Sequence, residues 1–271
     1  MLRQLRKRSE QAPYHNKNVV KRQQPAFLIG FPRSGTTLLD NILRSHSRID
    51  VVEEQPMLAR ALSAVKNPQD LASIEQMDEV TFASAYEIYF EELEKHVSRF
   101  DAAIVIDKLP LNILELPMIK QLFPNAKFIF AVRHPLDCIL SCWMQTFKLN
   151  PAMANMLELN QIVDFYCMTM ECFELSKKRY QLNVHRVRYE DLVGNLTGEA
   201  SNILGFLGLG WEDTLLNYHT TALAREKIFT PSHSQVIKPI YKTASYRWRH
   251  YDDRLEDFKV RVQPWIDEYN Y

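Results

Sequence analysis

The sequence predicts an α/β fold: a P-loop-like parallel β-sheet flanked by helices on both faces, with a helical insertion and C-terminal helices. Two observations carry this. Short, continuously apolar runs alternate with segments of helical hydrophobic spacing. Strands of that kind are buried on both faces and need crossover helices to cover them. In addition, a loop with a glycine at each end, Gly30-Phe31-Pro32-Arg33-Ser34-Gly35, follows the first such run and opens through Thr36-Thr37 into a helix.

Taken in order, Pro25-Ala26-Phe27-Leu28-Ile29 is the first apolar run, and Leu38, Leu39, Ile42 and Leu43 beyond the loop have helical spacing. Ile49-Asp50-Val51-Val52 is a short apolar stretch closed by Glu53 and Glu54. Residues 78–100 interleave Val80, Ala83, Tyr86, Ile88, Phe90, Leu93 and Val97 with acids, the pattern of a long amphipathic helix. Ala103-Ile104-Val105-Ile106 precedes a helical pattern over 113–123, and Lys127 to Val132 precedes another over 136–147. Residues 184–189 then lead into a helix over 196–207. From Tyr246 onward Arg, Trp and Tyr are balanced by Asp252, Asp253, Glu256 and Asp257, which predicts closing helices rather than a nucleic-acid surface.

With 271 residues and 46% hydrophobic content, one substantial core is expected. Residues 1–24 read as a basic N-terminal helix or tail and 25–271 as one domain. Lys plus Arg equals Asp plus Glu at 33 each, so the global charge argues for neither a nucleic-acid nor a membrane partner. Arg3, Arg6, Lys7 and Arg8 are followed by no apolar segment, which predicts a solvated helix or frayed tail rather than a signal peptide or membrane anchor. Cys138, Cys142, Cys167 and Cys172 lie in apolar, helical stretches without paired zinc-site spacing; core thiols in a reducing, cytoplasmic setting are expected.

In such folds ligands collect beyond the carboxyl ends of the strands, where the loop 30–37 falls. Successive backbone N–H groups and the positive end of the following helix can enclose an anion there, with Thr36 and Thr37 adding hydroxyls. A nucleoside triphosphatase or kinase places Lys directly after the second glycine; here that residue is Thr36. Asp107, closing Ile104-Val105-Ile106, has the position of a magnesium-holding Asp, so a nucleotide-dependent phosphotransferase stays open, as does a non-catalytic nucleotide-binding module.

The loop Phe31-Pro32-Arg33-Ser34-Gly35-Thr36-Thr37 resembles the 5′-phosphosulfate loop of the PAPS-dependent sulfotransferase superfamily. Within it the chain is most similar to the tyrosylprotein sulfotransferases and to bacterial sulfotransferases associated with tetratricopeptide repeats, from about Pro25 to near the carboxyl terminus. The resemblance implies a co-substrate, 3′-phosphoadenosine 5′-phosphosulfate, no metal, and transfer of a sulfuryl group to an acceptor hydroxyl. It assigns Arg33, Ser34, Gly35, Thr36 and Thr37 to the 5′-phosphosulfate. Arg133 and Ser141, in and after Ala131-Val132-Arg133-His134-Pro135-Leu136-Asp137, go to the 3′-phosphate, and Tyr189 to a further donor contact. Glu54 matches the general base, with Glu53 the alternative, and Lys108 the cation that steadies transferring charge. Ser232, Gln235, Lys238 and Arg247 match the late element that covers the donor. Two positions depart from the animal tyrosylprotein enzymes, since Pro56 and Gln145 stand where those carry Arg. The acceptor is therefore open between a protein tyrosine, a carbohydrate and a small molecule, and oligomeric state is open as well. No repeat period precedes the first strand.

Overall fold

The computed structural model describes residues 1–8, 22–99, 101–147, 150, 152–224 and 244–271. Helix α1 (Leu2–Arg8) precedes β1 (Ala26–Gly30), α2 (Thr36–Arg44), β2 (Ile49–Glu53), α3 (Met57–Leu62), α4 (Leu71–Glu75) and α5 (Glu79–Glu94). Next come β3 (Ile104–Lys108), a 3-10 turn at Pro110–Leu114, α6 (Leu116–Leu122), β4 (Lys127–Val132) and α7 (Pro135–Trp143). The chain continues through a 3-10 turn at Met153–Met156, α8 (Leu159–Tyr180), β5 (Asn183–Arg188), α9 (Tyr189–Gly194) and α10 (Leu196–Leu207). A 3-10 turn at Asp213–Asn217, α11 (Tyr218–Ala224), a last 3-10 turn at Arg247–Tyr251 and α12 (Asp252–Glu268) complete it.

The strands form one five-stranded sheet in the order β2-β3-β1-β4-β5, with helices around it. Pairing is parallel where β1 meets β3, with Ala26 opposite Ile106, and where β2 meets β3, with Ile49 opposite Ile104. The predicted α/β class and parallel sheet are observed. Apolar side chains on both faces of β1 are buried throughout, as a strand covered on two sides requires. The helix expected over 113–123 is divided: Pro117 falls in the first turn of α6, where its missing N–H costs nothing, and the residues before it form a 3-10 turn instead.

The chain divides into two compact units. The first comprises Met1–Ile29, Ser47–Ile129 and Glu171–His185. Its centre is aromatic, with Phe27 lying 5.7 Å from both Phe123 and Phe128 and Tyr89 4.7 Å from Phe123, ring centre to ring centre. Helix α5 packs on α3 and α6, and its amino end is capped by Asp78, which accepts from the Thr81 N–H at 2.7 Å.

Helix α1 belongs to this unit; of the solvated helix or frayed tail expected it is a helix, but one face of it is packed rather than solvated. Leu5 is buried with Leu71, Cys172 and Tyr180, and Arg6 and Arg8 pair with Glu171 and Glu75. Glu75 also receives Arg179 at 2.6 Å and the Tyr180 hydroxyl at 2.8 Å. Burial pushes its carboxyl up, but Arg179, Tyr180 and Arg8 outweigh that and hold it below the ordinary value. The sequence pattern of 1–8 contains the apolar residues Met1, Leu2 and Leu5, which all pack in this cluster, and gives no sign of acids supplied from α4 and α8.

Asp107 is fully buried in the same unit, accepting from the Tyr89 hydroxyl at 2.9 Å and from Asn112 Nδ2 at 3.1 Å. Its carboxyl is therefore committed to the interior, on the face of β3 opposite Lys108. Burial raises it from 3.8 to about 7, against the two hydrogen bonds. The unfolded chain ionises this group at lower pH than the fold does. Its stabilising share is thus complete below about 4, is lost as pH rises toward about 7, and is level beyond. We expect Asp107→Asn to flatten that fall in urea-unfolding free energy; an unchanged slope would contradict the assignment.

The second unit comprises Gly30–His46, Phe130–Met170 and Arg186–Tyr271. Phe31 packs against Phe165 and Tyr166, and Tyr269 against Phe130. Asp137, in the first turn of α7, accepts from the backbone N–H groups of Tyr246 and Trp248 at 2.6 and 3.0 Å and so fixes the C-terminal segment to that turn. Among the described residues no helix is long and apolar enough to cross a membrane, and no group of three or more His, Cys, Asp or Glu could hold a metal ion.

Candidate active site

Two clusters of predicted site residues form, one within each unit. In the second unit the loop after β1 turns sharply. Ser34 N–H returns to the Phe31 carbonyl at 3.1 Å, Arg33 adopts φ 70°, and Gly35 adopts φ 102° immediately ahead of α2. A side chain at Gly35 is doubly excluded, since its Cβ would also lie 2.8 Å from Tyr189 Cδ2. The aromatic ring of Tyr189, the first residue of α9, therefore packs directly on the turn. Thr36 and Thr37 are buried in the first turn of α2.

Arg133 follows the last residue of β4 and ties the cluster together. It donates to the Arg33 carbonyl at 3.2 Å and to the Ala244 carbonyl, lies 3.7 Å from Asp137, and stacks its guanidinium 4.9 Å from the Tyr189 ring centre. Arg33 Nε in turn donates to Ser141 Oγ on α7 at 3.0 Å. Arg33, Arg133, Ser141 and Tyr189 thus lie together. Arg247 is exposed and reaches only Met144 Sδ at 4.0 Å; Ser232, Gln235 and Lys238 lie outside the described residues.

An anion fits this cluster. Ser34 Oγ and Arg133 Nε are buried donors with no partner among the described residues, and such groups carry a cost unless something satisfies them. They flank a helix amino terminus whose N–H groups favour negative charge. His134 and Trp248 stack at 4.7 Å in the same unit, and His134 Nδ1 and Trp248 Nε1 are likewise buried without partners. Burial, with Arg249, Arg133, Lys259 and Arg188 adding repulsion, lowers His134 to about 3, so its imidazole is neutral. Sequence reasoning passed over this pair. Its only signal was His134 lying between Arg133 and Pro135.

The first unit holds Glu53, Glu54 and Lys108. Glu53 ends β2 and stands opposite Lys108, the end of β3, in parallel register. Glu54 lies one residue beyond, donates its N–H to the Lys108 carbonyl at 2.8 Å, and takes φ 50°. That left-handed turn is unusual for a residue with a side chain and folds its carboxylate back toward the same cation. Lys108 Nζ lies 3.2 Å from Glu53 Oε1 and 2.9 Å from Glu54 Oε1. Both carboxylates therefore engage the predicted cation. Pro56 stands at the amino end of α3.

A tight, lysine-free glycine loop ahead of a helix, on a parallel sheet of this order, defines an α/β protein with a loop fit to hold an anion. The chain belongs to the Sulfotransferase family, whose model matches residues 25–213. It is 29% identical over 265 residues to an uncharacterized protein of Aquifex aeolicus, covering 91% of this chain and 34% of that one. It is 28% identical over 240 residues to protein-tyrosine sulfotransferase 2 of Gallus gallus, covering 82% of this chain and 62% of that enzyme. The chain thus spans about a third of the first relative's length and under two thirds of the second's. Among solved structures it is similar in fold to a sulfotransferase domain from the curacin biosynthetic pathway, with TM-score 0.56, 20% identity, and coverage of 84% of this chain and 92% of that one.

Proposed function

We propose that this chain transfers a sulfuryl group from 3′-phosphoadenosine 5′-phosphosulfate to an acceptor hydroxyl, without a metal, with residues 25–271 as the catalytic domain. The observation that carries the reading is the loop of Arg33 to Thr37, which lacks the lysine a triphosphate needs, beside Ser34 Oγ and Arg133 Nε, buried and without a partner among the described residues. The commitment of Asp107 to Tyr89 and Asn112 argues against a magnesium-dependent phosphotransferase.

Arg33, Ser34, Gly35, Thr36 and Thr37 hold the 5′-phosphosulfate in this reading, and Arg133 and Ser141 hold the 3′-phosphate. Tyr189 packs under the donor. Ser232, Gln235, Lys238 and Arg247 would cover it. Glu54 takes the proton of the acceptor hydroxyl, whose oxygen forms the new bond to sulfur. The bond from sulfur to the bridging oxygen breaks, and that oxygen keeps the electron pair. Lys108 offsets charge that spreads over the transferring oxygens.

A phenolic hydroxyl suits such a base, and a protein tyrosine is the acceptor named for the chicken relative. Pro56 argues against the acidic peptides met by an Arg at that position. A cytoplasmic, reducing setting is supported by four free thiols, three of them buried. Calorimetry tests the donor: 3′-phosphoadenosine 5′-phosphate is expected to bind, and tight binding of ATP-magnesium alone would overturn the reading.

A further inference from the structure

We propose that Glu53 is a positioning residue, the permanent counter-ion that holds Lys108 in place while Glu54 alone exchanges a proton. The proposal rests on the sulfotransferase reading for the identity of the reaction, but its structural half does not.

The two adjacent carboxylates are not equivalent. The side chain of Lys108 is 0% exposed and that of Glu53 3%, whereas that of Glu54 is 27% exposed. Glu53 is fixed by the β2–β3 register directly opposite Lys108. It is too deeply enclosed to meet an acceptor, but it is rigidly placed to orient Nζ. Glu54 lies past the end of the ladder, on a left-handed residue, where its carboxylate reaches solvent.

The chemistry needs this division. When Glu54 accepts the acceptor's proton it becomes neutral, and Lys108 loses one of its two partners at the moment its charge is wanted. A wholly buried ammonium left unpaired is costly. Glu53, bonded at 3.2 Å and unable to reach the acceptor, supplies the charge that stays. The Gln55 side chain further steadies the strand end by donating to the Glu53 carbonyl at 3.0 Å.

The test compares Glu53→Gln, Glu53→Asp and Glu54→Gln in the full chain. One readout is the Lys108 ammonium signal in nitrogen-15 NMR at neutral pH, which persists only when its protons are held and exchange slowly. The signal is expected in the parent and in Glu54→Gln, weakened in Glu53→Asp and lost in Glu53→Gln. Its absence from the parent, its survival in Glu53→Gln, or its loss in Glu54→Gln overturns the proposal.

The second readout is steady-state rate. Glu53→Gln should lower kcat about tenfold, below the ~100-fold typical of removing a direct transition-state donor, with KM for acceptor and binding of 3′-phosphoadenosine 5′-phosphate unchanged. Glu53→Asp, which keeps the charge, should recover part of the loss. Unchanged kcat in both Glu53 variants, or a loss in Glu53→Gln as deep as in Glu54→Gln, contradicts the proposal. If Glu53→Gln does not fold, Glu53→Asp carries both readouts: an ammonium signal and a kcat equal to the parent's overturn the role. A parent that shows the signal yet transfers no sulfuryl group sinks the sulfotransferase reading and leaves the position of Glu53 standing.

Discussion

Replacing Glu54 with Gln is expected to lower kcat by about a hundred- to ten-thousandfold, the span that a positioned general base contributes, while nucleotide binding stays near the parent value. Gln keeps the length and planar shape of Glu and can still accept from Lys108, so the left-handed turn and the 2.9 Å contact lose little. What it cannot do is take a proton. Because the anion loop, Arg133 and Ser141 are untouched by the change, affinity for 3′-phosphoadenosine 5′-phosphate isolates the chemical step from donor binding. Initial rates with saturating donor provide the check, and equal rates in variant and parent would remove Glu54 as the base.

Lys108→Met is expected to damage both stability and rate. Met fills most of the volume but takes from Glu53, 3% exposed, the ammonium it meets at 3.2 Å. Breaking a buried pair by deleting one partner costs up to about 3–5 kcal/mol. Urea unfolding should report a loss of that order. In folded protein kcat should fall about a hundred- to thousandfold, as when a donor aimed at developing charge is removed. A Lys108→Met protein as stable as the parent would mean that the pair is not buried as described. One with parental kcat would mean that the cation takes no part in transfer.

These two residues show where sequence was informative and where it stopped. Glu53 and Glu54 were both visible as acids closing an apolar stretch, but adjacency alone ranks neither. The resemblance prefers Glu54, and the β2–β3 register, which sets Glu53 opposite Lys108 and leaves Glu54 past the ladder, supports that preference. The anion cluster was more legible, because Gly35, Arg33 and the Thr pair follow one another closely in the chain. Arg133 and Ser141 lie on a strand end and the helix after it, a spacing that a repeating α/β pattern fixes.

Strands β1 and β4 were legible for a similar reason, being continuous apolar runs bounded by loops. Helix α8 is legible in the sequence only as a helical stretch around Cys167 and Cys172, without bounds, since Leu159–Tyr180 mixes charged and apolar residues with no strand pattern leading into it. Long-range pairings were invisible too. Asp137 holding Tyr246 and Trp248, and Glu75 gathering Arg8, Arg179 and Tyr180, each join segments far apart in sequence. Asp107 is the instructive reversal. Its place after an apolar strand suggested a metal ligand, whereas alternation along β3 turns it to Tyr89 and Asn112 and turns Lys108 to the carboxylates.

The most direct measurement is transfer itself. The protein is incubated with sulfur-labelled 3′-phosphoadenosine 5′-phosphosulfate and a panel of phenols, sugars and tyrosine peptides, with chelator present, and label on the acceptor is counted against nucleotide product. The account predicts label on an acceptor oxygen in equal amount to the 3′-phosphoadenosine 5′-phosphate formed, undiminished by the chelator. Label on no acceptor, together with magnesium-dependent phosphoryl transfer from ATP to one of them, would contradict it.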